Sequence, residues 1–318
     1  MKVLAHHGKL VKLKRGIVCS PAQWVIYPSN ACNMNCGHCI MKEERAENLA
    51  QLSEEVLDKA VFDAKKTGAR SVIFSGGGEP LTNGQTMFAA EFAKSIGLAT
   101  GMNTNGLLMF EDMTAIDFLR VSVDAATPET YQKVHGVDGW DRLNESLSRL
   151  KRNELGLAFL ITPDNFHEIM RFVAWAKKFD PTFVHIRPAW YADPKMDQRM
   201  REISVHIEAV KEQVEATNKN VFFRLDKFDG YWTEPNFSKC LASPIMAVLG
   251  ADGRFMVCQD VFTRFGGNYA EQDFESIWFG DDHRRVIAEI DVAKCPRCVE
   301  NTYNEVIEHL DDIRMEVL

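Results

Sequence analysis

From residue 24 to residue 223 the chain alternates short β-like runs with amphipathic helical ones, and this alternation constrains its fold more than any other feature. Residues 24–27 read as a first strand. Ser53 then reads as a helix N-cap, with Glu54 and Glu55 in the first turn, where negative charge suits the helix dipole. Val56, Leu57, Ala60, Val61 and Ala64 recur at helical spacing, and Thr67-Gly68 closes the segment. Later strands are expected at 71–74, 99–103, 118–123, 157–161 and 183–186, with 221–223 following a long polar helix near 196–217. Helices are expected near 87–96, 128–135, 143–151 and 166–179. A strand-helix-strand unit repeated about six times with short links implies parallel strands, because each crossover returns the chain in the same direction. The expected class is α/β, a partial TIM-like (β/α)6 barrel with its site at the C-terminal ends of the strands.

At 318 residues the chain suits one such barrel plus a smaller appended domain. The expected division is an N-terminal extension at 1–20, the barrel at 21–230 and a C-terminal domain at 231–318. The hydrophobic fraction of 46% and charged fraction of 26% are those of an ordinary globular protein. No apolar run approaches the roughly 20 residues of a membrane span. Residues 1–14 are basic, broken by His6, His7, Lys9, Lys12 and Lys14, and lack the apolar centre of a secretory signal, so a reducing cytoplasm is expected. A net charge of −8 argues against a broad nucleic-acid-binding face, though not against a nucleotide-sized substrate.

Where the first strand ends, Cys32, Cys36 and Cys39 can turn three thiolates inward on one loop. Three sulfurs hold three irons of a cubane and leave the fourth iron open, which is what a cluster needs to do chemistry rather than only pass electrons. A zinc loop is the alternative; it wants four closed ligands, and its fourth would be His38, adjacent to a residue already ligating. Eight cysteines in an intracellular chain read as metal ligands before disulfides. Seven fall into two groups, the second being Cys240, Cys258, Cys295 and Cys298, while Cys19 reads as a buried thiol.

The Cys-x3-Cys-x2-Cys loop after the first strand resembles that of the radical S-adenosylmethionine (SAM) superfamily, with His38 where the family usually places an aromatic residue. The resemblance implies that the methionine end of SAM chelates the open iron through its amino and carboxylate groups. Gly77-Gly78-Glu79-Pro80 is similar to the family's Gly-Gly-Glu-Pro motif after strand two. Glycines there would let the backbone approach the ligand, and the Glu79 carboxylate suits the methionine ammonium. A solvent-exposed turn is the plainer reading of a Gly-Gly pair. By the same resemblance Asn103, Asn105, Ser122 and Asp124 would bind the ribose and carboxylate of SAM, although an ordinary Asn-Gly turn explains Asn105 as well. Ser122 and Asp124 are expected on one strand face. His185 and Arg187 share another face and are candidates to meet substrate, or a surface pair.

The second cysteine group, with Gly253 between Cys240 and Cys258 and Cys295-Pro-Arg-Cys298 at its end, resembles the SPASM/twitch extension in its shorter, twitch form. Gly253, Phe255, Val257, Gly267, Asn268, Ile277 and Trp278 are similar to that extension's hairpin and following helix. The resemblance implies an auxiliary 4Fe–4S cluster closed by four thiolates, hence two 4Fe–4S clusters and SAM as cofactors, and an external low-potential electron donor. A zinc ribbon also ends in Cys-x2-Cys. The implied reaction is reductive cleavage of SAM to methionine and a 5′-deoxyadenosyl radical, followed by hydrogen abstraction from a small-molecule, peptide or nucleotide substrate. Net oxidation, with the auxiliary cluster as electron acceptor, is the first expectation. A redox-neutral isomerase or epimerase on a peptide, sugar or nucleotide-linked substrate is the second, and a zinc-binding interaction protein is the alternative outside enzymes. For an acid or base, position alone offers Asp226, Asp260, His185 and Arg187.

Overall fold

The computed structural model of the chain describes residues 6–191, 193–225, 237–259, 261–295, 298 and 300–310. Seven strands follow one another in parallel: β1 (Gln23–Ile26), β2 (Ser71–Phe74), β3 (Ala99–Thr104), β4 (Phe118–Ser122), β5 (Glu154–Ile161), β6 (Phe183–Pro188) and β7 (Val221–Phe223). β8 (Met246–Leu249) returns to lie parallel on the outer side of β1, and β9 (Phe255–Met256) and β10 (Arg264–Phe265) continue antiparallel from it. Among the described residues this is one sheet, ordered β10-β9-β8-β1-β2-β3-β4-β5-β6-β7. β7 stands where the strand at 221–223 is expected, and β8 extends the parallel sheet by one further strand beyond β1.

Helices pack along the strands because their apolar stripes have no other surface to cover. Leu57, Ala60, Val61 and Ala64 of helix Glu54–Lys66 are buried, and Ser53 caps it by accepting from the Val56 amide at 3.4 Å. Helices Thr86–Ser95, Trp140–Arg149 and Pro194–Glu215 begin one to three residues ahead of their expected starts. The expected helix at 166–179 is broken into a 3-10 turn, helix Ile169–Ala176 and a second 3-10 turn, which stops where Asp180 takes a φ of 45°.

The C-terminal segment is joined to the barrel rather than hung from it. Trp24 of β1 is fully buried and meets Phe255 edge-on at 5.5 Å and Phe274 at 4.6 Å. Tyr269 donates its hydroxyl to Asp63 at 2.7 Å, and Lys59 donates to the carbonyls of Tyr269 and Gln272, so helix Glu54–Lys66 grips the following loop. The N-terminal helix His7–Lys14 is likewise no free extension. Its Leu10 and Leu13 share a buried cluster with Ala242, Ile245, Ile307 and Leu310. The expected domain division at 230 falls outside the described residues, and the sheet itself runs on from β1 to β8. No described helix is long and apolar enough to cross a membrane.

Candidate active site

The C-terminal ends of β1 to β6 open on one cavity of about 310 Å³. Cys32, Cys36, His38 and Cys39 line it from the loop after β1, and Gly77, Gly78 and Glu79 from the loop after β2. Asn103 and Asn105 reach it from the end of β3, and Ser122 and Asp124 from the end of β4. Every first-group candidate therefore meets at one place. Of the strand-six pair, Arg187 lines the cavity and His185 does not. Asp226 and Asp260 lie outside the described residues.

The cysteine loop is held from two sides. On one, the Gly78 and Glu79 amides donate to the Ser29 and Ala31 carbonyls at 2.9 and 2.8 Å. A Cβ on Gly77 would strike the Asn30 side chain, and one on Gly78 the backbone of Ala31. These glycines thus make room for the loop that carries the cysteines, a nearer reason than approach to a ligand. On the other side the Asn35 and Gly37 amides donate to the carbonyls of His135 and Val134. Gly136, at φ 69°, closes that contact, since a Cβ there would come 2.8 Å from the Asn35 carbonyl. Gly78→Ala is expected to dislodge the loop, lowering the iron content of reconstituted protein together with its melting temperature. An alanine variant that loads iron like the parent would show that this packing is dispensable.

Glu79 lines the cavity and also ties two strand ends together. It is 2% exposed. Its Oε1 accepts from Thr104 Oγ1 at 2.7 Å and from the Leu81 amide at 3.2 Å, and its Oε2 accepts from the Asn105 amide at 2.7 Å. Burial pushes its carboxyl up, while these three donors pull it back. The carboxylate is a clasp between the ends of β2 and β3. Asn105, in turn, donates to Asn33 Oδ1 at 2.7 Å and approaches Cys32 Sγ at 3.9 Å, so β3 also braces the cysteine loop.

β4 stops at Ser122, one residue before its expected end, because Asp124 turns into the left-handed region at φ 57°. Asp124 and Ser122 therefore do not share a face by simple strand alternation, although both border the cavity. Asp124 Oδ1 accepts from the Leu160 amide at 2.6 Å, and its carbonyl from Asn165 Nδ2 at 2.7 Å. Its Oδ2 lies 3.8 Å from His38 Nε2 and 3.7 Å from His135 Nε2. Burial pushes His38 down to about 4, so at neutral pH this approach is a neutral ring beside a carboxylate rather than an ion pair. His135, buried at the end of helix Pro128–His135, sets Nδ1 3.1 Å from Cys36 Sγ and Nε2 2.9 Å from the Val123 carbonyl.

His135, Arg45 and Arg120 border the cavity without having been marked by the sequence. Arg120 carried a readable signal, since it alternates with Leu119 and Val121 and must share the inward face of Ser122. Gln259 lines the cavity from the C-terminal segment, directly after Cys258.

The second cysteine group is tied together more loosely. Buried Asn304 accepts from the Leu241 and Ala242 amides at 2.7 and 2.8 Å, and its Nδ2 lies 3.7 Å from Cys298 Sγ. Ser243 donates to the Val257 carbonyl at 2.6 Å, and Cys258 Sγ accepts from the Val261 amide at 3.1 Å. Among the described residues, no three His, Cys, Asp or Glu side chains converge as ligands of a single metal ion.

The first cysteine site fits a 4Fe–4S cluster in its donor chemistry. Three thiols line one cavity of about 310 Å³, and burial pushes the Cys32 and Cys36 thiols up, a preference that iron coordination reverses. Fold and cysteine loop together define a partial-barrel radical SAM domain. Residues 26–176 match the family model of the Radical SAM superfamily, and that stretch of the chain is a radical SAM domain. It is 25% identical over 278 residues to a probable GTP 3',8-cyclase of Saccharolobus islandicus, covering 78% of this chain and 88% of that one. The Saccharolobus solfataricus protein of the same description is similar to the same extent. Among solved structures, Streptococcus suis SuiB bound to S-adenosylmethionine superposes with a TM-score of 0.66 at 17% identity, over 90% of this chain and 72% of that one. Native anSMEcpe with bound AdoMet gives 0.62 at 14% identity, over 92% and 98%.

Proposed function

We propose that this enzyme abstracts a hydrogen from a substrate held in the cavity and oxidises it. The supporting observation is that Gln259, adjacent in the chain to Cys258, reaches the cavity lined by Cys32, Cys36 and Cys39. Cys32, Cys36 and Cys39 would hold the SAM-cleaving cluster, and Cys240, Cys258, Cys295 and Cys298 an auxiliary one. When bound, the first supplies the electron that splits SAM into methionine and a 5′-deoxyadenosyl radical, and the second supplies an acceptor for the electron left on the substrate. The chain's own part is to fix the cysteine loop between Gly78 and Gly136, to keep His38 neutral beside Asp124, and to present Asn103 and Ser122 to the ligand. A walled cavity also shields a reactive radical from water.

A redox-neutral reaction on a nucleotide is the second reading, favoured by the 25% identity to probable GTP 3',8-cyclases. The two separate by mass spectrometry of anaerobic reactions run in deuterated water against candidate peptides, sugars and GTP. Loss of two hydrogens supports oxidation; a product of unchanged mass, or one that has only exchanged hydrogen for deuterium, supports the second reading. Iron analysis tests the auxiliary site on its own. Reconstituted protein is expected to hold about eight irons per chain and Cys298→Ala about four; four thiolates carrying zinc would overturn the auxiliary cluster.

A further inference from the structure

Two guanidinium groups stand on the inner wall of the barrel, and one has no hydrogen-bond partner at its inner nitrogen. Phe118, Arg120 and Ser122 alternate along β4, and Phe183, His185 and Arg187 along β6. Between them β5 presents Gly156 in register with Arg120 and Ala158 in register with Ser122. Phe118 and Phe183 stack at 5.1 Å and 3° across Gly156, whose missing Cβ leaves space for the Phe183 ring. That stack floors the barrel interior, and the small residues above it leave room beside Arg120. Arg120 and Arg187 both border the cavity.

Arg120 Nε is buried and finds no hydrogen-bond partner among the described residues. Its neighbour Arg187 carries the same charge, and burial, reinforced by that neighbour, holds the Arg120 guanidinium below its ordinary range. Asp124 acts on it favourably from a distance, but that carboxylate is engaged with the Leu160 amide and faces His38 and His135. A buried guanidinium is stable beside an oxyanion, which it grips through two parallel hydrogen bonds. Arg120 Nε thus faces the cavity wall without an acceptor among the described residues, although the chain as a whole is acidic, at −8.

We propose that Arg120, with Arg187, receives an oxyanion of the substrate, a carboxylate or phosphate, on the barrel wall formed by β4 to β6. The proposal rests on reading the cavity as the substrate site of a radical SAM enzyme. SAM also carries a carboxylate, so the experiment separates the two sources. Anaerobically reconstituted, SAM-loaded protein is titrated with inorganic pyrophosphate, followed by phosphorus NMR, in the wild type, R120K and R120L. Saturable binding is expected in the wild type, weakened by about tenfold or more in R120L and within about threefold of wild type in R120K. Affinities for SAM and for decarboxylated SAM are measured in the same variants and are expected to be unmoved. Absence of saturable pyrophosphate binding in the wild type overturns the proposal, and so does equal binding by R120L. A loss of SAM affinity in R120L that decarboxylated SAM does not share also overturns it, assigning Arg120 to the SAM carboxylate. Exchanging a buried charge for leucine is tolerated by many folds, and iron content with thermal melting confirms that R120L is intact. Reductive SAM cleavage by the wild type tests the underlying reading separately, whatever pyrophosphate does.

Discussion

Cys36→Ala is expected to lower reductive cleavage of SAM by about a thousandfold or more, an effect of about 4 kcal/mol on the barrier. Cys36 lies between the two supports of its loop, with Asn35 and Gly37 bonded to the end of helix Pro128–His135 and its sulfur 3.1 Å from His135 Nδ1. Alanine removes one of the three thiols proposed to hold the cluster, and among the described residues no fourth cysteine lines the cavity. Dithionite-driven formation of methionine and 5′-deoxyadenosine, quantified by mass spectrometry, measures the loss. Iron content should fall from about eight to about four per chain as the first site empties. A variant that kept both its iron and its cleavage rate would remove Cys36 from the cluster and the chemistry from this loop.

The strands and the polar groups at their ends were legible because they depend on short-range pattern. Residues 71–74 and 183–186 are continuous apolar or alternating runs, and a parallel strand ends where such a run meets glycine or a polar residue. What the sequence did not disclose depends on contacts between distant segments. Nothing local marks Met246–Leu249 as a parallel neighbour of Gln23–Ile26, yet that pairing makes the C-terminal segment part of the barrel sheet. Leu10 and Leu13 lie in a basic stretch, and their burial comes from a cluster with Ile307 and Leu310, about 300 residues further on. In the sequence His135 reads only as a helix terminus, because its partner Cys36 lies 99 residues away. Asp124 was placed on a strand face by alternation, which fails once its backbone enters the left-handed region. The motif at Gly77 to Glu79 is legible by pattern, but the loop contacts that its glycines and its carboxylate also make depend on segments distant in sequence.

The three donors gathered by Glu79 make Glu79→Ala the second large effect. If Glu79 served only the ammonium of SAM, its removal would weaken SAM binding and leave the folded protein as it was. The geometry leads elsewhere. Alanine strands Thr104 Oγ1 and the amides of Leu81 and Asn105, all of which now donate to one buried carboxylate. Leaving such donors without an acceptor costs about 1 to 3 kcal/mol each before relaxation, so a net loss of about 3 kcal/mol is expected. Because Asn105 also bonds Asn33 beside Cys32, the cysteine loop should loosen and iron should be lost with stability. Glu79→Gln keeps one acceptor oxygen and turns its amide toward a donor, so a smaller cost of about 1 to 2 kcal/mol is expected. Anaerobic thermal melts and iron analysis of both variants measure these effects. Should Glu79→Ala melt with the parent and carry its full iron while losing only affinity for SAM, the carboxylate would serve the ammonium of SAM alone, and the clasp between β2 and β3 would be incidental.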